Sequence, residues 1–120
     1  MPRLNVQAKV RQALAQALPD IEVRVSVPDP RPKTLVVVRR EGGRKLNRLI
    51  DRAGVGIFCW APTELEVSEL ADKVSDALSS LDFRDGFALV EEEHMESDRD
   101  PLTKTPRWYA SYTVTTYKHS

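Results

Sequence analysis

Residues 35–61 read LVVVRREGGRKLNRLIDRAGVGIFCWA, and this stretch decides the fold. Its first part, residues 35–38, is rich in β-branched side chains and apolar on both faces, which is typical of a central strand covered on each side. Its last part, residues 53–60, alternates Val, Ile and Cys with aromatic side chains, while Gly54 and Gly56 leave room for close approach on the second face. The stretch therefore predicts two neighbouring strands.

The connection between these strands, residues 41–48, is rich in glycine and positive charge. Gly42 and Gly43 favour a turn or a flexible segment, since glycine adopts backbone angles that other residues avoid. We predict a protruding loop or the tip of a long hairpin. Its cations are Arg44, Lys45 and Arg48.

Periodic patterns on either side predict the remaining elements. Apolar residues at three- and four-residue spacing predict amphipathic helices over residues 4–18 and 63–81, and Thr63 with Glu66 forms a Thr-x-x-Glu capping box. Alternating or β-rich segments predict further strands over residues 21–27, 87–95 and 107–118. Residues 28–33, 41–48 and 96–105 are the segments predicted to be flexible.

The order of these elements is helix, strand, strand, strand, helix, strand, strand. At 120 residues the chain has the size of one domain, so we expect residues 1–120 to form a single α/β unit. Short connections between consecutive strands favour antiparallel pairing with helices as cover. The predicted fold is α+β: a mostly antiparallel or mixed sheet of about five strands covered by two helices.

Composition excludes several classes of function. No apolar run approaches the roughly 20 residues that cross a bilayer, and residues 1–5 lack the apolar stretch of a signal peptide. We expect no membrane partner and a location in the cytosol. Lys plus Arg equals Asp plus Glu at 18 each, without the positive excess of a dedicated nucleic-acid binder.

Residues that carry chemistry in enzymes are few. His94 lies in an acidic run and His119 is the second-last residue, so we expect both to be solvated. Cys59 lies between two aromatic residues of a strand, which predicts a buried and inert thiol. Neither the spacing of a phosphate-binding loop nor that of an EF-hand is present. We therefore expect no catalytic site, no cofactor, no bound metal and no enzyme activity.

Charge is strongly segregated along the chain. Residues 39–52 hold six cations against two carboxylates, a net charge of +4, while residues 91–100 hold six carboxylates against one arginine, a net charge of −5. Opposed patches suit a head-to-tail contact between identical subunits. Two alternatives stay open: both segments are solvated loops that never meet, or the basic segment binds nucleic acid, although no aromatic residue interleaves with its cations.

Several segments resemble the tail terminator, or tail completion, proteins of long-tailed phages. The similar segments are residues 36–43, Asp51, residues 55–61 and the helix from Thr63, together with Val10-Arg11, Leu14 and Leu18-Pro19 near the start and Thr105–Tyr109 and Tyr112–Val114 near the end. The likeness covers almost the whole chain. Its motifs are structural ones, namely a strand, a glycine loop and a capped helix, and related neck and minor tail subunits share such features.

The resemblance implies a hexameric ring on the end of the tail tube. Such a ring stops tube growth and offers a surface to the head connector or stopper protein, while DNA passes through it without sequence-specific binding. It implies a place at the neck end of the virion tail, after assembly in the host cytoplasm. No catalytic residue is implied. The candidate subunit or tube interface comprises Arg40, Gly42, Gly43, Arg44, Lys45, Arg48, Glu91, Glu92, Glu93, Glu96 and Asp98.

A lumen that conducts DNA should not hold phosphates, and a strongly basic loop would do so. We therefore predict that Arg44, Lys45 and Arg48 contact protein rather than line the channel. The alternatives to a terminator are another neck or minor tail structural subunit, or a small nucleic-acid-binding α/β regulatory domain that uses the basic segment.

Overall fold

A computed structural model describes residues 6–45, 50–81 and 87–117, with residues 43–45 described by their backbone alone. The helices within these residues are α1, Val6–Ala17, and α2, Glu64–Ser79. The strands are β1, Val23–Arg24; β2, Leu35–Lys45; β3, Ile50–Trp60; β4, Phe87–Arg99; and β5, Pro106–Tyr117. The predicted α+β fold class and the predicted element order are confirmed.

The five strands form one mixed sheet in the order β1-β2-β3-β5-β4. β1 runs parallel to β2, and every other neighbouring pair is antiparallel. β3 is the central strand, because it pairs with β2 along one edge and with β5 along the other. The sheet is thus two long hairpins, β2–β3 and β4–β5, joined through β3 and β5.

Both helices cover the same face of the sheet. α1 buries three side chains at helical spacing, Val6, Val10 and Leu14, and α2 buries a longer stripe of the same kind. These stripes meet the inward-facing side chains of the strands, which include Val38, Ile57 and Val114, in one apolar core. Burial of each such side chain contributes about 1.5–3 kcal/mol to stability. This core sets the positions of the two hairpins.

The opposite face of the sheet has a smaller apolar cluster. Leu35, Val37 and Trp60 are buried there, and Phe58 packs against them. The connector between β1 and β2 reaches this face, since the Arg31 guanidinium lies 5.7 Å from the Trp60 ring centre. Arg107 lies over the same ring at 5.9 Å. Cationic side chains, rather than a helix, therefore cover this cluster within the described part of the chain.

The predicted strand over residues 21–27 is wrong in length. Only Val23–Arg24 pairs with β2, and Val25 and Val27 are 41% and 50% exposed instead of facing the core. A parallel pair cannot be joined by a tight turn, so the chain must leave the sheet early and return through a crossover. The proline-rich connector of residues 28–32 makes that return.

The predicted extent of β4 is also wrong, because the strand runs to Arg99 and not to residue 95. Residues 96–99, predicted to be flexible, pair with Pro106–Tyr109 of β5. Polar side chains are compatible with this strand because β4 lies at the edge of the sheet, where most of its side chains meet solvent.

The predicted start of α2 is confirmed by its cap. The Thr63 side chain accepts a hydrogen bond from the Glu66 amide at 3.1 Å. We expect Thr63→Ala to lower the free energy of unfolding by about 1 kcal/mol, because the helix loses that acceptor. Thr63→Ser retains a hydroxyl oxygen and should stay close to the wild type. Urea denaturation measures both, and equal losses for the two variants would contradict the capping role.

Candidate assembly interface

The β2–β3 hairpin extends as an arm, defined here as residues 41–45 of β2 with the opposing residues 50–54 of β3. Pairing continues to Lys45 opposite Asp51, so the basic segment is a continuation of the sheet up to Lys45 and the long-hairpin prediction holds there. A register shift between Arg40 and Gly42 marks a bulge at the base of the arm. Gly42 has φ 133°, a conformation that side-chain-bearing residues rarely adopt, and this explains the glycine.

A side-chain contact at the base of the arm crosses the open face of the sheet, which is the face opposite the helices. The Tyr109 hydroxyl of β5 donates a short hydrogen bond to the Glu41 carboxylate of β2. The carboxylate lies over Gly56 of β3, where an added Cβ would come within 2.4 Å of the Glu41 carboxyl carbon. Glycine is therefore required at this position for Glu41 to reach across β3. Burial, followed by the hydrogen bond to Glu41, raises the pKa of Tyr109 to about 12.

The other face of the arm base is tied to the helix layer. Gln7 of α1 accepts a hydrogen bond from the Arg40 amide at 2.7 Å. The Arg40 guanidinium lies 3.5 Å from the carboxylate of Asp51, a residue that is only 3% exposed. A buried carboxylate needs such a partner, because an unpaired buried charge is strongly destabilising. Arg40 therefore has a structural partner within the chain, whatever it contacts outside.

The acidic segment forms the outer edge of the sheet. All five predicted carboxylates of the candidate interface lie on β4 and are exposed: Glu91, Glu92, Glu93, Glu96 and Asp98. β4 pairs with β5 on one side only, so its other edge is unpaired within the described sheet. Charged side chains and register shifts keep such an edge from pairing with other strands. Shifts occur at residues 87–89 and 92–94.

Three of these carboxylates have partners within the chain, and that of Glu96 is His94, at 3.2 Å. Glu92 accepts hydrogen bonds from Ser75 at 3.0 Å and from Tyr112 at 3.2 Å, which ties β4 to α2 and to the core. Arg107 donates two hydrogen bonds to Asp98, at 2.9 and 2.8 Å. Glu91, Glu93 and Glu96 complete the acidic edge, which is defined as the exposed carboxylates of β4.

The structure separates the two charged segments. The arm belongs to β2 and β3, the acidic edge belongs to β4, and β5 lies between them. Residues 44 and 52 of the arm align, across β5, with Leu89 at the beginning of β4, and Gly42 and Gly54 at the arm base align with Glu91. The other carboxylates follow farther along β4. The arm and the acidic edge therefore lie on opposite sides of β5. Arg48 lies outside the described residues, and the interface role of all eleven candidate residues stays a prediction.

The histidine and cysteine side chains are groups that could carry out chemistry, and in the described chain one histidine is exposed and the cysteine is buried. His94 is exposed and lies 3.2 Å from Glu96, while His119 lies outside the described residues. Cys59 is buried as predicted, and burial raises the pKa of its thiol to about 12. Within residues 6–45, 50–81 and 87–117 there is no group of three or more His, Cys, Asp or Glu side chains that could hold a metal ion. No helix of the described chain is long and apolar enough to cross a membrane.

One structured site escaped the sequence prediction, namely the β4–β5 turn at residues 100–105. The Asp100 carboxylate accepts hydrogen bonds from the Trp60 indole at 2.9 Å and from the amides of Leu102 and Thr103 at 2.8 and 3.3 Å. Although burial acts to raise it, these hydrogen bonds and the nearby Arg107 hold the pKa of Asp100 below its usual value. The pair Asp100-Pro101 is a local signal for a turn. The Trp60 partner of Asp100 is 40 positions away and has no local signal.

The link between Glu41 and Tyr109 predicts a pH effect. Because the pKa of Tyr109 is raised above its usual 10, protonated Tyr109 stabilises the fold fully below pH 10, and this contribution is lost as pH rises through about 12. We expect Glu41→Gln to lower the pKa of Tyr109, since the phenolate no longer meets a negative charge. NMR titration of the tyrosine ring measures it. Glu69→Gln, a matched change on α2, should leave it unchanged, and a pKa that stays near 12 in Glu41→Gln would refute the link.

Comparison with known proteins yields a structural likeness. No family model matches the sequence, and no curated protein matches it. Among solved structures, a chain from the virion of a native gene transfer agent (GTA) particle shares the fold, with a TM-score of 0.64 over 94% of this chain and 95% of that chain. The two sequences are 19% identical. At this identity the likeness shows that the fold of this chain also occurs in a virion particle.

Proposed function

We propose that this chain is a non-enzymatic virion assembly protein, a tail terminator that forms a ring on the end of the tail tube. The ring stops tube polymerisation and provides the attachment surface for the head connector or stopper protein. The observation that supports the proposal is that the basic arm and the acidic edge lie apart within one sheet, on strands separated by β5. The fold shared with a chain of a GTA virion supports it independently.

Two complementary surfaces on different sides of a subunit favour a head-to-tail contact, which closes into a ring when the rotation between neighbours allows. In this proposal the arm reaches either the neighbouring subunit or the rim of the tail tube. The acidic edge is its counterpart in a neighbour or faces another ring. A hexamer is the number that the family resemblance implies.

The contact acts through side chains rather than through strand addition. Lys45 is the last paired residue of β2 that the structure describes, and the register shift next to Gly42 interrupts the pairing at the base of the arm. The edge of β4 carries closely spaced carboxylates and two register shifts, which oppose the docking of an additional strand. Charge complementarity then sets the register of the contact and makes it sensitive to salt.

The same arrangement suits a ring through which DNA passes. Cations that point into a lumen would bind phosphates and slow the DNA, whereas cations engaged by protein carboxylates would not. We infer that Arg44, Lys45 and Arg48 make protein contacts. The protein would then be found at the neck end of the virion tail, after assembly in the host cytoplasm.

Charge reversal on the arm tests the proposal. We expect Arg44→Glu with Lys45→Glu to abolish ring formation and tube capping, since both sides of the contact would then be negative. Electron microscopy of the purified protein, with and without tail tubes, measures both. Arg24→Glu with Lys73→Glu makes the same change of charge at exposed positions away from the arm, and this control should assemble like the wild type.

The outcomes separate the rival functions. Unchanged assembly and capping in the arm variant would count against the proposed contact. A wild-type protein that joins tails at another position would indicate a different neck or minor tail subunit. A wild-type protein that ignores tubes at every concentration, yet retains DNA at moderate salt and loses it in the arm variant, would instead indicate a nucleic-acid-binding domain.

A further inference from the structure

The end of the sheet opposite the arm, here called the turn end, comprises the β4–β5 turn, the beginning of α2 and the connector before β2. Leu102 at the apex of the turn is 93% exposed, and Leu65 in the first turn of α2 is 69% exposed. Single exposed leucines are common on protein surfaces. These two, however, belong to segments that are linked to each other and to a cationic groove.

The turn that carries Leu102 is held rigidly. The Asp100 amide donates to the Thr105 carbonyl at 2.9 Å, and the Lys104 amide donates to the Asp100 carbonyl at 2.8 Å. The Asp100 carboxylate also accepts hydrogen bonds from the Leu102 amide and from the indole N–H of Trp60, a residue that is only 3% exposed. An exposed apolar side chain on a fixed backbone loses little freedom when it binds, which favours affinity.

Neighbouring segments are fastened to this turn. Arg99 donates to the Glu64 carboxylate at 2.6 Å and to the Lys104 carbonyl at 3.0 Å, which joins the turn to α2. Arg31 of the connector donates to the Thr105 hydroxyl at 3.1 Å. These contacts link the turn that carries Leu102 to both α2 and the connector.

Between these segments lies an open groove of about 590 Å³. The charged side chains that line it are four cations and one carboxylate, which leaves a net charge of +3. They are Arg31, Lys33, Arg99, Lys104 and Glu64. The other carboxylates of the turn end, Asp29, Glu66 and Asp100, are outside the groove lining, so the positive charge is confined to the groove. Such a surface attracts a negatively charged partner and discriminates against a positive one.

We propose that the turn end is a docking surface for a second protein of the particle, one that presents an acidic segment around an apolar hollow. Leu102 enters the hollow, and the groove cations meet the carboxylates. The inference rests on the proposed function only in that the chain is a virion component. It places the surface that attaches another particle protein at the end of the sheet away from the arm. Another copy of this chain, with its own acidic edge, is the competing occupant.

Site-specific photo-cross-linking in purified particles identifies the occupant. Benzoylphenylalanine placed at position 102 should cross-link to a different protein, at a segment in which Asp or Glu flanks apolar residues. The same probe at position 89, near the arm and 36% exposed as Leu89, should not give that product. Mass spectrometry of the cross-linked peptide supplies its sequence.

Variants of the purified pair test the chemistry of the contact. Leu102→Ser and Lys104→Glu should each weaken binding to the cross-linked partner at least tenfold, and raised salt should weaken the wild-type pair. Leu89→Ser and Lys73→Glu are matched controls and should bind normally. Because Leu102 is almost wholly exposed, we expect Leu102→Ser to fold normally. An unchanged melting temperature checks this.

The results distinguish failure of this inference from failure of the proposed function. A cross-link to a second copy, to a segment without carboxylates or to nothing overturns the docking surface, and so does unchanged affinity in both variants. In these cases the chain remains a particle component. Absence of the wild-type chain from purified particles overturns the virion role itself and the docking surface with it.

Discussion

The pairing of β3 with β5 is the interaction on which the rest of the structure depends. It extends without a register shift from Ile50 opposite Tyr117 to Trp60 opposite Arg107. Each of these strands is also half of a long hairpin, so this ladder fixes the arm relative to the acidic edge. Because side chains alternate between faces, a slip of one residue would exchange the core face for the open face along β5. The charged surfaces would then lose their present arrangement.

One-sided cover by helices determines which face can interact. α1 and α2 bury the apolar side chains of one face. The other face has no helix over it among the described residues, and polar side chains make contacts across it. Gly56, Glu41 and Tyr109 meet there in a contact that needs space over β3. At the far end of the same face, Trp60 is covered by arginines and anchors the β4–β5 turn. Both ends of the open face are thus held by polar contacts between distant segments.

Periodicity in the sequence was sufficient to predict the elements and the fold class. The β-branched run at residues 35–38, the capped helix after Thr63 and the alternation in β5 all occur where their patterns indicate. Strand ends were less predictable. Residues 96–99 look like a solvated loop because their composition is polar, yet an edge strand tolerates that composition when a partner strand such as β5 supplies the hydrogen bonds.

The contacts of the candidate sites were not predictable, because they join residues far apart in the chain. Glu41 meets Tyr109 across 68 positions, and Arg31 meets Thr105 across 74. A sequence pattern records spacing within an element, whereas these contacts depend on the strand order of the sheet. The pattern of charge predicted two opposed patches, but not that Asp98 and Glu92 already have partners in the chain.

Balanced charge and segregated charge have different consequences for assembly. With equal numbers of cations and carboxylates, copies of the chain do not repel one another as bodies of like charge. Because the basic arm and the acidic edge lie on opposite sides of β5, attraction between them would depend on orientation and would favour the proposed head-to-tail contact. A heterologous contact of this kind becomes a filament unless its rotation closes. Gln7, Asp51 and Tyr109 hold the base of the arm through contacts within the chain, and in the proposed ring the direction of the arm would set the rotation between neighbours.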